Sequence, residues 1–425
     1  MVDRKALRVR SLLCAALLGI ASPFALPVAA ARSAAPAATV PRINLAHLDH
    51  LYAETAVDGE RVGVVHIYSE APDFRFAIEP REGFTCVDDV ARAIVLLSAT
   101  PRPDARRLHQ IEMLTKFVLR MQADNGYFHN FLWGNGRINR EYRTSLAELN
   151  WWSLRALWGL EAALPHLPAA TAARARSAAD RLVANLTRDL PVGAAGTTRV
   201  AGIDVPTWLP LESGADAGST ALLGLLPHYA RTRDPATRAL IGRIGEGMLM
   251  MQAGDARRFP HGAHLSWRNQ WHAWGNAQAY ALLRAGKLLG RRDFIDSALR
   301  EVDHFYPYLL RIGMRSGFTL QGAGDGFTAR DAQRFPQIAY GISPMILAAT
   351  EAWRQTGEER YRAIAGRLAT WFTGANDARR PIYDPASGRV LDGINGKGSV
   401  NPNSGAESTI EGLFALTALH GTPLP

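Results

Sequence analysis

"FTCVDDVARAIVLL", residues 84–97, sets the reading of the whole chain. From Val87 onward the segment is apolar around its whole circumference except at Asp88, Asp89 and Arg92, the composition of a helix enclosed by other helices rather than lying on a surface. The same signature returns in "WWSLRALWGLEAAL" (151–164), "ALLGLLPHYA" (221–230), "AYALLRAGKLL" (279–289), "SPMILAATEAW" (343–353) and "EGLFALTAL" (411–419). Between these inner helices lie one-sided ones. In "LHQIEMLTKFVLRMQ" (108–122), Leu108, Ile111, Leu114, Phe117, Val118 and Met121 form one stripe, while Gln110, Glu112, Lys116 and Arg120 lie elsewhere. Alternating strand-like runs are rare after about residue 80, so the predicted class is all-α.

The inner segments begin near Thr85, Ser145, Ser213, Gln270, Gln337 and Ser404, at intervals of 60, 68, 57, 67 and 67 residues. A second echo supports the period. "RMQADNGYFHNF" (120–131) and "MMQAGDARRFPHGAH" (250–264) both end an outer helix with Met-Gln-Ala and enter an aromatic loop, two repeats apart. "INLAHLDHLYAETA" (43–56) supplies the outer partner missing from the last inner helix, which brings the two ends of the repeat array together. The expectation is a closed ring of six helical hairpins. An open solenoid is the competing architecture, but its turns are short, whereas these inner helices are entered through long loops rich in Trp, Tyr, Asn, His and Gly.

Six inner helices at this spacing, with "CVDDVARA" early and "GAEST" late, resemble the six-hairpin (α/α)6 toroid of many glycoside hydrolases and polysaccharide lyases. They are similar also to toroid domains that accompany some bacterial sugar-transfer enzymes. The resemblance spans about residues 43–420. It implies a carbohydrate-active enzyme with its site where the inner helix N-termini meet.

The bulk properties narrow the setting. Arg4, Lys5, Arg8 and Arg10 precede an apolar run and the small residues "PVAAA", so Met1–Ala31 reads as a secretory signal peptide and 32–425 as a single toroid domain in the periplasm or medium. Removing that segment lowers the formal charge from +9 to about +6. No Lys/Arg block marks a nucleic-acid footprint, no membrane association is expected after cleavage, and the mild basic excess suits an acidic glycan. Only Cys86 survives processing, so the fold rests on its apolar core without a disulfide.

Four inner starts share the pattern [ST]-x-x-[DE]: Thr85 to Asp88, Ser145 to Glu148, Ser213 to Asp216 and Ser404 to Glu407. These read as capping boxes, in which hydroxyl and acid satisfy helix-terminal N–H groups. Asp89 exceeds what one box needs, and either pairs with Arg92, three residues on, or does chemistry beside Asp88. Glu411, deeper than Glu407, pairs with an arginine inside the ring on the same logic. The candidate catalytic acids are Asp88, Asp89, Glu148 and Glu407.

For substrate contacts, "INGKGSVNPNSGAE" (394–407) contributes Lys397 and Asn403, and "WRNQWHAWGNAQAY" (267–280) contributes Trp271, His272 and Asn276. Asn150 and Trp151, Glu212, and Gln337 with Tyr340 stand at equivalent starts. Indole faces stack on sugar rings and amides bond hydroxyls. His261 and His264 lack a third ligand at metal spacing, and no phosphate loop, nucleophile elbow or dinucleotide fingerprint is present, so neither metal nor cofactor is expected. The leading reaction is hydrolysis by paired carboxylates. The rival is a lyase drawing on His272, Tyr280, Tyr340, Asn150 and Asn276, and a third reading is a glycan-binding or assembly protein without turnover.

Overall fold

Helix follows helix through the described part of the computed structural model, which covers residues 40–425 apart from 101, 191, 192, 194, 195 and 325. The expected signal segment lies outside the described residues. The inner helices are α2 (Val87–Ser98), α4 (Trp151–Ala163), α6 (Ala215–Thr232), α8 (Gln278–Leu289), α10 (Ala339–Thr356) and α12 (Ala406–Leu419). The outer ones are α1 (Ala46–Leu51), α3 (Ala105–Arg120), α5 (Ala169–Asp189), α7 (Pro235–Met250), α9 (Arg292–Ile312) and α11 (Glu359–Thr373).

Each inner helix packs against the next, and α12 packs against α2, which closes the ring. Two glycines permit the close approach. A Cβ on Gly159 would lie 3.1 Å from the Cα of Ala91, and one on Gly224 would lie 2.8 Å from Leu157 Cγ and 2.9 Å from the Trp158 backbone nitrogen. Those contacts join α4 to α2 and α6 to α4. Inner helices are buried on nearly every side, as their composition requires, while α9 carries Phe294, Ala298, Val302, Phe305 and Leu309 on a single buried face.

The first hairpin departs from the rest. Residues 43–56 were expected as one helix, but only Ala46–Leu51 are helical. Tyr52–Val57 instead pairs with Glu60–Val65 around the Asp58-Gly59 turn, where both residues take positive φ. The all-α expectation is amended in the same way elsewhere, because eight small antiparallel sheets occur among the described residues. They lie in the connections and shape the loops that enter the inner helices.

The capping-box reading is corrected. Helix α2 is capped by Cys86, whose sulfur accepts from the Asp89 N–H at 3.5 Å, and α4 by Asn150, whose Oδ1 accepts from the Trp151 N–H at 2.8 Å. The N-caps of α6 and α12 are Gly214 and Gly405, without side-chain caps. The four hydroxyl residues sit one to five positions earlier, in the entry loops. Thr85 is in a short strand against Leu132. The Ser145 hydroxyl accepts from Phe131 N–H and donates to the Asn139 carbonyl, that of Ser213 donates to the Pro206 carbonyl, and that of Ser404 accepts from Val390 N–H. Freed from capping, Asp88 and Glu407 sit at the second position of α2 and α12.

Candidate active site

A cleft of about 430 Å3 opens where the inner helices begin. It is lined by Asp88 and Arg92 of α2, Asn150 with Trp151, Trp152 and Arg155 of α4, Ile338 and Tyr340 at the start of α10, and Glu407 of α12. Entry loops add Glu82, Asn130, Phe131, Thr144 and Trp274. Helix α6 reaches the same mouth indirectly, since its Asp216 Oδ2 lies 3.0 Å from His272 Nε2 and the His272 ring stacks on Trp274 at 3.7 Å.

Tyr340 forms part of the floor, with the guanidinium carbons of Arg92 and Arg155 at 4.6 and 5.2 Å from its ring centre. Arg155 donates to Asp88 Oδ1 at 2.6 Å and to the Tyr340 hydroxyl. Arg92 donates to Asp89 at 2.8 Å and to Glu407 at 3.1 Å, while its Nε faces Glu411 at 3.3 Å as a charge contact without hydrogen-bond alignment. Burial pushes the Asp89 carboxyl up to about 6, with Arg92 opposing and Glu407 and Asp88 adding to the rise. Glu411 is pushed up to about 7, again by burial first, with Arg92 opposing and Glu407 reinforcing. Burial also holds the Tyr340 phenol above its ordinary range despite both arginines.

Of the sequence candidates, Asp88, Glu407, Asn150, Trp151 and Tyr340 meet at this cleft. His272 stands behind Trp274, with Nδ1 held by the Trp274 carbonyl at 2.8 Å. The others lie elsewhere, each for a visible reason. Asp89 is 4% exposed and accepts from Arg92 and the Cys86 thiol. Glu148 is exposed in the entry loop, where it accepts from Asn150 Nδ2. Trp271 is 1% exposed and packs between Phe318 and Phe305.

Asn276 donates to the carbonyls of Ala273 and Gly341 and holds a turn. Gln337 donates to Asp377 at 2.6 Å and accepts from Trp371, tying the loop to α11. Asn403 accepts from Ala71 N–H, Lys397 is exposed at a hairpin turn, and Glu212 is exposed at φ 57°. Sequence reasoning missed Arg155, Glu82, Asn130 and Thr144. For Arg155 a signal existed, because a lone arginine inside "WWSLRALWGL" must find a buried anion. Among the described residues no group of three His, Cys, Asp or Glu is placed to hold a metal, and His264 is engaged by Glu301 and Ser297.

No protein-family model matches the sequence, and no curated protein matches it. Solved structures do. Cellobiose 2-epimerase from Bacillus thermoamylovorans superimposes with a TM-score of 0.58 at 9% identity, covering 84% of this chain and 92% of that one. A family 76 glycoside hydrolase, a mannosidase from Bacteroides thetaiotaomicron, gives 0.53 at 10% identity over 84% and 92%. The unsaturated glucuronyl hydrolase of a Bacillus species gives 0.53 at 13% identity over 83% and 89%. The protein therefore has the (α/α)6 toroid fold, a ring of six helical hairpins, that these solved structures share. Fold is what these similarities establish, since one ring hosts an epimerase and two hydrolases.

Proposed function

We propose that the protein is a glycoside hydrolase that cleaves an oligo- or polysaccharide at the N-terminal mouth of its ring, with Asp88 and Glu407 as the carboxylate pair. The observation that carries this reading is their placement: two acids on adjacent inner helices line one cavity that also holds Trp151 and Trp274. The indoles stack on a sugar ring, one carboxyl protonates the glycosidic oxygen, and the other acts at the anomeric carbon, through water or directly. Arg155 and Arg92 orient the pair, each holding one carboxylate oxygen.

Lyase and epimerase chemistry needs a base that removes a proton from carbon. The available candidates suit that role less well. Both nitrogens of His272 are engaged by protein acceptors, the Tyr340 phenol is held protonated by burial, and Tyr280 is 1% exposed beside Arg284.

The test is an oligosaccharide panel read by mass spectrometry. The expected products gain one water, and Asp88→Asn and Glu407→Gln each lower turnover by about 100-fold or more. Products of unchanged mass, unsaturated ends, or undiminished turnover in both variants would overturn the assignment. We place the enzyme outside the cytoplasm on the pattern of Met1–Ala31, and an intact N-terminus on the protein recovered from its native cell would refute that placement.

A further inference from the structure

Charge inside the cleft runs against the charge of the chain. Without Met1–Ala31 the formal charge falls from +9 to about +6, the mild basic excess behind the expectation of an acidic glycan. Yet the charged groups that line the cleft are Glu82, Asp88 and Glu407 against Arg92 and Arg155, one acid in excess before the buried Asp89 and Glu411 beneath them are counted. Both arginines are already committed. A guanidinium recognises a ligand carboxylate by presenting parallel N–H groups. Here Arg92 spends both terminal nitrogens on Asp89 and Glu407, and Arg155 spends both on Asp88 and the Tyr340 hydroxyl.

The acids are less fully matched. Arg155 holds only Oδ1 of Asp88, Arg92 only Oε2 of Glu407, and the Tyr68 hydroxyl only Oε2 of Glu82. One oxygen of each carboxylate thus has no donor among the described residues, in a cavity that also carries the Trp151 and Trp274 rings, 5.7 Å apart.

Resting on the reading of this cleft as a carbohydrate site, we propose that its substrate is a sugar bearing a free amino group, whose ammonium lies against Glu82 while the sugar ring stacks on Trp151 and Trp274 and Asp88 and Glu407 keep their free oxygens for the reaction. An ammonium supplies the cation that balances the excess acid, and Glu82 offers it the carboxylate oxygen that Tyr68 leaves without a donor. A uronate adds a further negative charge to carboxylates that have no spare cation.

Calorimetry on the signal-free protein tests this with short glucosamine oligomers, their N-acetylated counterparts and glucuronate oligomers. The expected result is affinity for the amine about tenfold above that for the neutral counterpart. The preference should shrink with added salt and fall below about threefold in Glu82→Gln. Equal affinities, tighter binding of glucuronate, or no binding of the amine at millimolar concentration would each overturn the inference. Calorimetry reads association and not bond cleavage. A cleft that holds amines without cutting them keeps this inference and removes the hydrolase, and one that cuts neutral chains with no amine preference does the reverse.

Discussion

Arg92 of α2 reaches Glu407 of α12 at 3.1 Å, so the helix that begins the ring of inner helices is ion-paired to the helix that ends it. The same guanidinium serves Asp89 and Glu411, each 5% exposed or less at its side chain. Replacing Arg92 by Met leaves both acids buried without their cation, a loss of about 3–5 kcal/mol. Urea unfolding at pH 8 should show it, and at pH 5, where both acids are protonated in the fold, the loss should be smaller. Equal stability of variant and parent at pH 8 would mean that the ion network does not hold the closure.

Glu411 faces Arg92, Arg155, Glu407 and the Ser343 hydroxyl, and its carboxyl is raised to about 7. A raised acid keeps in the fold a proton that the unfolded chain has released, so its contribution to stability falls as pH rises from about 4.5 to about 7 and is level outside that window. Relative to Glu411→Gln, the parent should lose on the order of 3 kcal/mol across it. Melting curves at half-unit steps would check this, and a parent-to-variant difference that does not change with pH would contradict it.

His272 is a positioning residue. Its ring lies nearly parallel to that of Trp274, at 10°, and is fixed from behind by Asp216. With His272→Ala, KM should rise about tenfold while kcat stays within about twofold, since stacking serves ground and transition states alike. His272→Phe preserves the stack and should restore most of the loss, with ligand-induced change in indole fluorescence returning in parallel. A fall in kcat alone would place the residue elsewhere in the reaction.

Gly224→Ala introduces a methyl group 2.8 Å from Leu157 and 2.9 Å from the Trp158 backbone nitrogen. The inner ring has no slack at α4–α6, and the expected cost is about 1–3 kcal/mol. Gly242, whose added Cβ meets nothing within 4 Å on outer helix α7, is the control and should change little.

The periodicity of "WWSLRALWGLEAAL" and its five counterparts made the ring legible, because enclosure demands apolar residues on every side of a helix. The Asp89–Arg92 and Glu411–arginine pairings were legible for the related reason that buried charges need partners. Helix starts were not, because Ser145 and Ser404 satisfy loop N–H groups as readily as helical ones, and the motif cannot distinguish them. Nor could composition separate Trp271, packed on Phe318, from Trp274, three residues on and 41% exposed at the cleft. Which face an indole presents depends on the short strand formed by Gln270–His272 against Gly317–Ala323, a pairing across some 45 residues.

The seam between the first and last hairpins carries a consequence for biogenesis. His47 is held by the Ser404 carbonyl, and the N–H groups of Ser404 and Ala406 reach the carbonyls of Ser69 and Ile67. A ribosome making this chain therefore exposes one raw flank of α2 until α12 has been synthesised, with more than 300 residues waiting on that final rod. Nascent forms stalled before α12 should be open crescents with a sticky edge, clients for holdase chaperones rather than early folders.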